Sequence, residues 1–376
     1  MRAIFILLFC VGSITNVIGQ LMVSKVIIDD ATELPIVNAH IYIGNRLKNG
    51  TITNIDGRFV LKGIYKNEVL EVSHISYKSY KKVVEKITFD TIRLSKKSVA
   101  LNEIIIHAES GEAIIERVID SITINHFVES VIYSTYVRVL RYERDYSELH
   151  ILSEYLMDVY QNEKSNSEFE ILKVRAKSFS YAGRKYFKDM RMMHAISIQS
   201  DNIFKYKYAI FKKKNLKKYN FEILEDSKDD DGNLIKLRCI PKRKEEFYTI
   251  ILWVSRSSYA VQKMIKYYSE SKEEFAEVGF KKIGGKWYLD YSRKKIYSDY
   301  FSKWQPDSKS VLERIAIYNI NSERLYDNKL FKTSFNLVAE PIKYHTDSWL
   351  DEFWDDNNYI PLPEWVRKKI DSTNAR

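Results

Sequence analysis

The chain has 376 residues, enough for two domains with cores of their own, and 60 Lys and Arg against 50 Asp and Glu give it a net charge of +10. For an exported chain that balance favours anionic lipid, lipopolysaccharide or acidic glycan as a surface to contact. Only two cysteines are present, Cys10 and Cys239, and aromatic residues are abundant while Gly and Pro are scarce, a composition suited to long β-strands.

Residues 1–19 read as a signal peptide. Arg2 starts it, Ala3 to Val11 form a short apolar run, and Val17-Ile18-Gly19 offers a small residue before a cut ahead of Gln20. The apolar run is too short to span a bilayer, and charges interrupt every later one, so no transmembrane helix is expected in the mature chain. Phe9 is too bulky for a lipoprotein site at Cys10. Cleavage would leave Cys239 alone, which excludes an internal disulfide, and the alternation from Leu234 to Ile240 makes it a small core residue. The chain is expected outside the cytoplasm, in the periplasm or associated with the outer membrane and cell envelope, and separated from nucleic acid.

Residues 20–107 read as a β-sandwich. Short apolar runs at 23–28, 40–43, 59–61 and 69–72 alternate with turn chemistry at Asp29-Asp30, Gly44-Asn45 and Asp56-Gly57. Gly57 is expected to supply a positive φ in a tight turn between paired strands.

Val26 and Asp29, then Thr32, Pro35-Ile36, Asn38-Ala39 and Ile41, Thr53 with Asp56-Gly57 and Phe59, and finally Val72-Ser73-His74-Ile75-Ser76-Tyr77, form a combined pattern. It resembles the carboxypeptidase-regulatory-like domain, a transthyretin-like sandwich found in exported proteins of Bacteroidetes. The following 101–106 looks like the exit strand that often trails this domain. Ser76 departs from the pattern, since the family usually has glycine before the tyrosine. In the peptidases that give it its name the domain is an accessory module, so the resemblance implies no peptidase activity.

A connecting helix is expected over 108–126. Ser110 can cap it, Glu112 suits its N-terminal dipole, and Ile114, Ile115, Val118, Ile119 and Ile122 recur at helical spacing. From 127 to 340 the chain reads as a larger antiparallel unit, a curved meander sheet or half-barrel. Its strands are predicted at 133–142, 150–160, 168–179, 234–240, 248–254, 261–268, 275–283, 286–296 and 314–321. Gly284-Gly285 and Asp229 to Asn233 mark hairpins. Tyr136-Val137-Arg138, Ser153-Glu154-Tyr155 with Val159-Tyr160, and Ile250 to Val254 before Tyr259-Ala260-Val261 resemble a companion region that follows the same domain in envelope proteins. That likeness implies a fold similar to the half-barrel of lipoprotein-carrier proteins, with Ile251 and Trp253 on the apolar, concave side. The tail, 341–376, interleaves Trp349, Phe353, Trp354, Tyr359 and Trp365 with acidic residues, a pattern that anchors a terminal segment onto a sheet.

No constellation spells out chemistry. His126-x-x-Glu129 has a spacing that could bring two zinc ligands together, yet His150, His194 and His345 supply no third, and His126 is better placed to meet a helix C-terminus. Nucleophile elbows, phosphate loops, dinucleotide fingerprints and His-Glu-x-x-His are missing from the sequence. Glu245-Glu246 and Glu273-Glu274 read as solvated pairs, and Asp229-Asp230-Asp231 as a turn. Catalytic, cofactor-binding and metal residues are therefore none on sequence grounds. One block stands out: Lys205, Lys207, Lys212, Lys213, Lys214, Lys217 and Lys218 interleave with Tyr206, Tyr208, Phe211 and Tyr219 without an acidic residue. It is a candidate contact for an anionic surface, with a solvated loop as the plainer reading. The expected function is a non-enzymatic envelope protein that binds an apolar or amphipathic ligand (lipid, lipopolysaccharide or glycan) or an outer-membrane partner. The alternative is a hydrolase, acting on peptide or glycan, whose site is assembled only by folding.

Overall fold

The computed structural model describes residues 21–44, 46–84, 91–97, 109–161, 167–181, 201–204, 208–229, 232–243, 248–268, 271–298, 309–321, 354 and 360–374. The expectations for the 1–19 leader, the 101–106 strand, Lys205, Lys207, Glu245-Glu246, Trp349, Phe353 and Tyr359 fall outside these residues.

The protein is mainly β. The strands β1 (Leu21–Asp29), β2 (His40–Ile43), β3 (Arg46–Ile52), β4 (Arg58–Ile64), β5 (Val69–His74), β6 (Tyr77–Val83) and β7 (Thr91–Leu94) form two sheets, ordered β4-β1-β7 and β3-β2-β5-β6. β7 runs parallel to β1 and the other pairings are antiparallel. Alternation decides what lies between the sheets: Ile41 and Ile43 of β2 join Val23, Ile27, Phe59 and Val72 in one buried cluster, while His40 and Tyr42 point away.

Gly57 has φ +69°, and a Cβ there would lie 2.5 Å from the Ile27 carbonyl oxygen. The expected positive φ is therefore present. The turn, however, joins β3 to β4, which belong to different sheets, so it is a crossing between layers and not a hairpin. Ser76 sits in the short turn between β5 and β6 without a positive φ, so serine fits where the pattern has glycine.

The helix α1 (Gly111–Asn125) starts where Ser110 Oγ accepts the Ala113 N–H at 3.2 Å, and it buries Ile114, Ile115 and Val118. Ten strands follow: β8 (Val131–Glu143), β9 (Leu149–Gln161), β10 (Ser167–Ser178), β11 (Tyr219–Asp229), β12 (Gly232–Pro241), β13 (Thr249–Ser255), β14 (Val261–Tyr267), β15 (Phe275–Ile283), β16 (Lys286–Ser298) and β17 (Ser310–Ile320). They make one antiparallel sheet, β10-β9-β8-β17-β16-β15-β14-β13-β12-β11. Two meanders are thus joined by β17 lying against β8, and β10 and β11 remain as edges, so the sheet is not closed into a barrel. Gly284 and Gly285, at φ +55° and +85°, turn β15 into β16. Positive φ at both central residues matches the right-handed twist of the paired strands.

All ten strands contribute side chains to one apolar cluster that also contains Ile114, Ile115 and Val118 of α1 and Ile203, Phe204, Ile210, Phe211 and Leu216. The sheet therefore curves around the helix, and its inner face is a packed core. On β13 the residues in this cluster are Ile250, Leu252 and Val254. The expected Ile251 and Trp253 are one register out: they point to the outer face, where Trp253 lies beneath the ammonium groups of Lys236 and Lys263. A slip of one residue exchanges the faces of a strand, and a continuous apolar run carries no alternation to fix the choice.

The outer face carries two smaller clusters. Ile52 of the sandwich meets Tyr136, Tyr291 and Ile317 of the sheet and Trp354 and Ile360 of the tail. A second helix, α2 (Glu364–Asn374), places Val366 among Leu140, Tyr142, Leu152 and Val311. The described part of the tail is thus anchored on the sheet.

Candidate functional site

A cleft of about 610 Å³ lies between the β3-β2-β5-β6 sheet and the outer face of β14–β17. The alternation that buries Ile41 and Ile43 turns His40 and Tyr42 into it from one side. From the other side come Lys263, Lys281, Asp290 and Tyr291. Gly279 makes the opposite wall possible, because a Cβ there would lie 2.0 Å from the Tyr291 ring. The ring crosses β15 over this glycine, and its hydroxyl donates to Glu277 at 2.5 Å.

Two buried carboxylates join the sandwich to the sheet across the cleft. Glu277 accepts from Asn38 Nδ2 at 3.3 Å and pairs with Lys263 at 2.7 Å. Burial alone would raise its pKa, but Lys263 and the Tyr291 hydroxyl hold it below the usual carboxylate range. Asp290 pairs with His40 and, at 2.9 Å, with Lys281. Its pKa too is held well down, against the pull of burial, by Lys281 and by its contact with His40. His74 donates nothing charged: burial, with Lys263 and His40 nearby, pushes its pKa down to about 3.

The lining holds five lysines against two carboxylates, Glu71 and Asp290. Lys81 pairs with Glu71 at 2.5 Å. Lys97 and Lys282 have no ion pair or side-chain hydrogen bond among the described residues. Ile52 and Ile317, with the ring of Tyr291, add apolar surface. The cleft thus offers free ammonium groups beside apolar surface, with its inner carboxylates already neutralised. Such a site can seat a molecule with an acidic end and an apolar body.

The residues singled out in the sequence lie elsewhere. Lys212, Lys213, Lys214 and Lys217 are exposed on 3-10 turns, and Lys218 is half-buried. Lys213 pairs with Asp120 of α1 at 2.6 Å. The aromatics between these lysines do not share their surface: Phe211 and Tyr219 are buried in the core and Tyr208 packs against it. His126 and Glu129 are not brought together as ligands. His126 is buried between Phe204 and Phe280, and its Nε2 accepts the Val261 N–H at 3.2 Å. Burial and nearby Lys286 push its pKa down to about 3, so it is a neutral ring and not a cation for the helix dipole. Among the described residues no three His, Cys, Asp or Glu side chains stand together as a metal site. Cys239 is fully buried in the core, as its alternation implied, and burial pushes its pKa up.

For the hydrolase alternative, folding brings together one set. His150 Nδ1 lies 2.8 Å from Ser180 Oγ, and its Nε2 lies 2.8 Å from Glu143 Oε1. All three are buried, His150 completely. Glu143 also accepts the Lys309 N–H at 2.9 Å, which ties the β8–β9 hairpin to the start of β17. The serine sits on Nδ1 with the carboxylate on Nε2, the reverse of the usual nucleophile arrangement, and the set serves as a strand clamp. Glu273, of the acidic pair on the rim of β15, is occupied by Arg144 and by the Tyr297 hydroxyl at 2.8 Å. The residues that build the cleft were missed in the sequence because its partners are far apart: Asn38 and Glu277 are 239 positions from each other.

Residues 24–106 match the family model of the CarboxypepD_reg-like domain. No curated protein matches the chain. Among solved structures, a domain described as outer membrane lipoprotein-sorting, from Vibrio parahaemolyticus, is 14% identical, covers 60% of this chain and 97% of its own, with a TM-score of 0.26. A DUF1329 family protein from Desulfovibrio piger is 10% identical over 60% of this chain and all of its own, at 0.26. The MucA/MucB complex of Pseudomonas aeruginosa is 6% identical over 61% of this chain and 96% of the matched chain, at 0.19. TM-scores this low carry no argument about function. No helix among the described residues is long and apolar enough to cross a membrane.

Proposed function

We propose that the protein is a non-enzymatic, exported module of the cell envelope that binds an amphipathic, anionic ligand in the cleft between its two β units. In this reading the sandwich (20–107) and the large sheet (127–340), linked by the helical segment 108–126, supply one wall each. The tail (341–376) fixes their spacing. The exposed lysines 212–214 and 217 form a separate contact for an anionic surface such as lipid or lipopolysaccharide.

One observation carries the reading: among the described residues Lys97 and Lys282 stand unpaired beside the apolar surface of Ile52, Tyr291 and Ile317 in a cleft of about 610 Å³. That volume lies within the range of small-molecule sites, about 300–1,000 Å³. The test is calorimetric titration of the full chain with laurate. Saturable binding of laurate but not of decylamine is expected, weakened by Lys97→Gln with Lys282→Gln. Equal binding of the two amphiphiles, or no effect of the lysine changes, would refute the reading.

A further inference from the structure

On the inner face of the large sheet three cations share one cross-strand row. Lys266 of β14 pairs with Ala276 of β15, Ala276 with Lys294 of β16, and Lys294 with Arg314 of β17. Side chains in such a row project from the same face. Like charges set directly opposite each other, as Lys294 and Arg314 are, destabilise a sheet. Ala276, the small residue of the row, stands between the two lysines.

Among the described residues the row has fewer anions than cations. The carboxylate they show at the row is Asp201, which accepts Arg314 Nη2 at 2.6 and 2.7 Å, the Ser292 hydroxyl at 2.5 Å and the Tyr318 hydroxyl at 2.6 Å. Arg314 is 2% exposed, yet its Nε and Nη1 have no hydrogen-bond partner among the described residues. Buried donors left unpaired are rare and costly, so two on one guanidinium call for an occupant. Lys266 is 9% exposed and touches three tyrosine rings, with centroids at 4.7 Å for Tyr208, 4.9 Å for Tyr248 and 4.5 Å for Tyr268. It has no carboxylate partner among the described residues. The strain registers on both lysines. Burial and Lys294 push the Lys266 pKa down to about 8, and burial and Arg314 lower that of Lys294. Tyr248, at the edge of this cage, is exposed.

We infer that the Lys266–Lys294–Arg314 row is a binding site for a phosphate group, distinct from the cleft on the opposite face. Among the described residues, three cations against one committed carboxylate leave a surplus of two positive charges. A phosphate monoester or inorganic phosphate, with about −1.5 to −2 charge and three acceptor oxygens, matches both the charge and the unpaired donors. The source of the phosphate is either a free anion or a lipid head group, and the same chemistry recognises both.

The experiment uses the full chain. Inorganic phosphate is titrated calorimetrically, and flotation compares phosphatidic-acid vesicles with vesicles of phosphatidylcholine alone. Saturable phosphate binding assigns a free anion, and binding confined to phosphatidic-acid vesicles assigns a head group. Lys266→Gln with Lys294→Gln is expected to weaken whichever is bound at least tenfold. In the unliganded state the Lys266 and Lys294 variant should melt no lower than the wild type, because a repulsion has been removed. A readout without substitution is acetic anhydride labelling of Lys266 in the wild type, which the bound probe should suppress. Binding of neither probe, binding that survives the double substitution, or labelling indifferent to a bound probe overturns the inference.

Discussion

Glu154→Gln is the sharpest test of what holds the outer face together. Glu154 of β9 is fully buried, and its carboxylate pairs with Arg138 Nε at 2.7 Å and Arg175 Nε at 2.5 Å and accepts the Tyr136 hydroxyl. Burial would raise its pKa, but the two guanidinium groups hold it below the usual value, so it stays charged. Glutamine preserves the shape and one acceptor oxygen and removes the charge, leaving two arginines facing each other across strands. Removing one member of a buried ion pair costs about 3–5 kcal/mol. The lower end applies here, since Arg138 also donates to the carbonyls of Ile360 and Pro361, and Trp354 lies under Arg175. A loss of about 3 kcal/mol with a urea m-value of about 3 kcal/mol/M moves the unfolding midpoint down by roughly 1 M. Tryptophan fluorescence in urea measures it. The sign with pH also follows. The lowered folded pKa means that the stability contributed by Glu154 is present above the unfolded carboxylate value and lost as pH falls through the folded one. The variant should therefore show a flatter acid limb. A midpoint shift below about 0.3 M, equivalent to about 1 kcal/mol, would refute the charge argument.

Two further outcomes are expected. His126, neutral down to about pH 3 in the fold, takes a proton in the unfolded chain near 6.5, so between those values acidification removes stability at up to about 1.4 kcal/mol per pH unit. His126→Gln should make the pH dependence of the melting temperature between pH 6 and 4 shallower by about one proton, and an unchanged slope would contradict the neutral-ring assignment. Asp56 of the sandwich caps α2 from another part of the chain, its Oδ2 accepting the Glu364 N–H at 2.8 Å. Asp56→Ala should lose about 1 kcal/mol and speed hydrogen exchange over 364–374 ahead of the sheets. Exchange accelerated first in β1 would show that the cap is not what Asp56 provides.

Much of the fold was legible because burial leaves a period in the sequence. β1, β2, β4 and β5 showed as short apolar runs between turn residues, and α1 as a stripe of isoleucines behind Ser110. Strands without that period did not show. β6 reads Tyr-Lys-Ser-Tyr-Lys-Lys-Val and is exposed along most of its length at the edge of its sheet. β7 has four residues, and β11 follows directly on the lysine block and was absorbed into it. The helix α2 was hidden because its cap comes from Asp56, far away in the sequence. The sites were less legible still. Asn38, His40, Glu277 and Asp290 are ordinary polar residues of ordinary strands until the two units meet. Lys266, Lys294 and Arg314 form a row only once the register of β14 to β17 is set, and a register is a relation between strands that no single strand contains.

The way the tail crosses the outer face bears on how the cleft would bind. Asn54 Nδ2 donates to the carbonyls of Pro361 and Leu362 at 3.2 and 3.4 Å, in the same turn whose Asp56 caps α2. Arg138, on the sheet, donates to the carbonyls of Ile360 and Pro361 from the other side. Residues 360–362 are thus gripped by the sandwich and the sheet at once, and Ile52, Tyr291 and Trp354 pack together beside them. With Asn38–Glu277 and His40–Asp290 across the cleft itself, the two walls are tied by the tail and by their own polar contacts. Walls fixed in this way need little reordering when a ligand enters, which leaves more of the contact energy as affinity. The same reasoning links Glu154 to binding: because it positions Arg138, Glu154→Gln should loosen the tail and weaken laurate binding, although it touches no residue of the cleft. Laurate affinity unchanged in a folded Glu154→Gln protein would mean that the tail does not set the spacing of the walls.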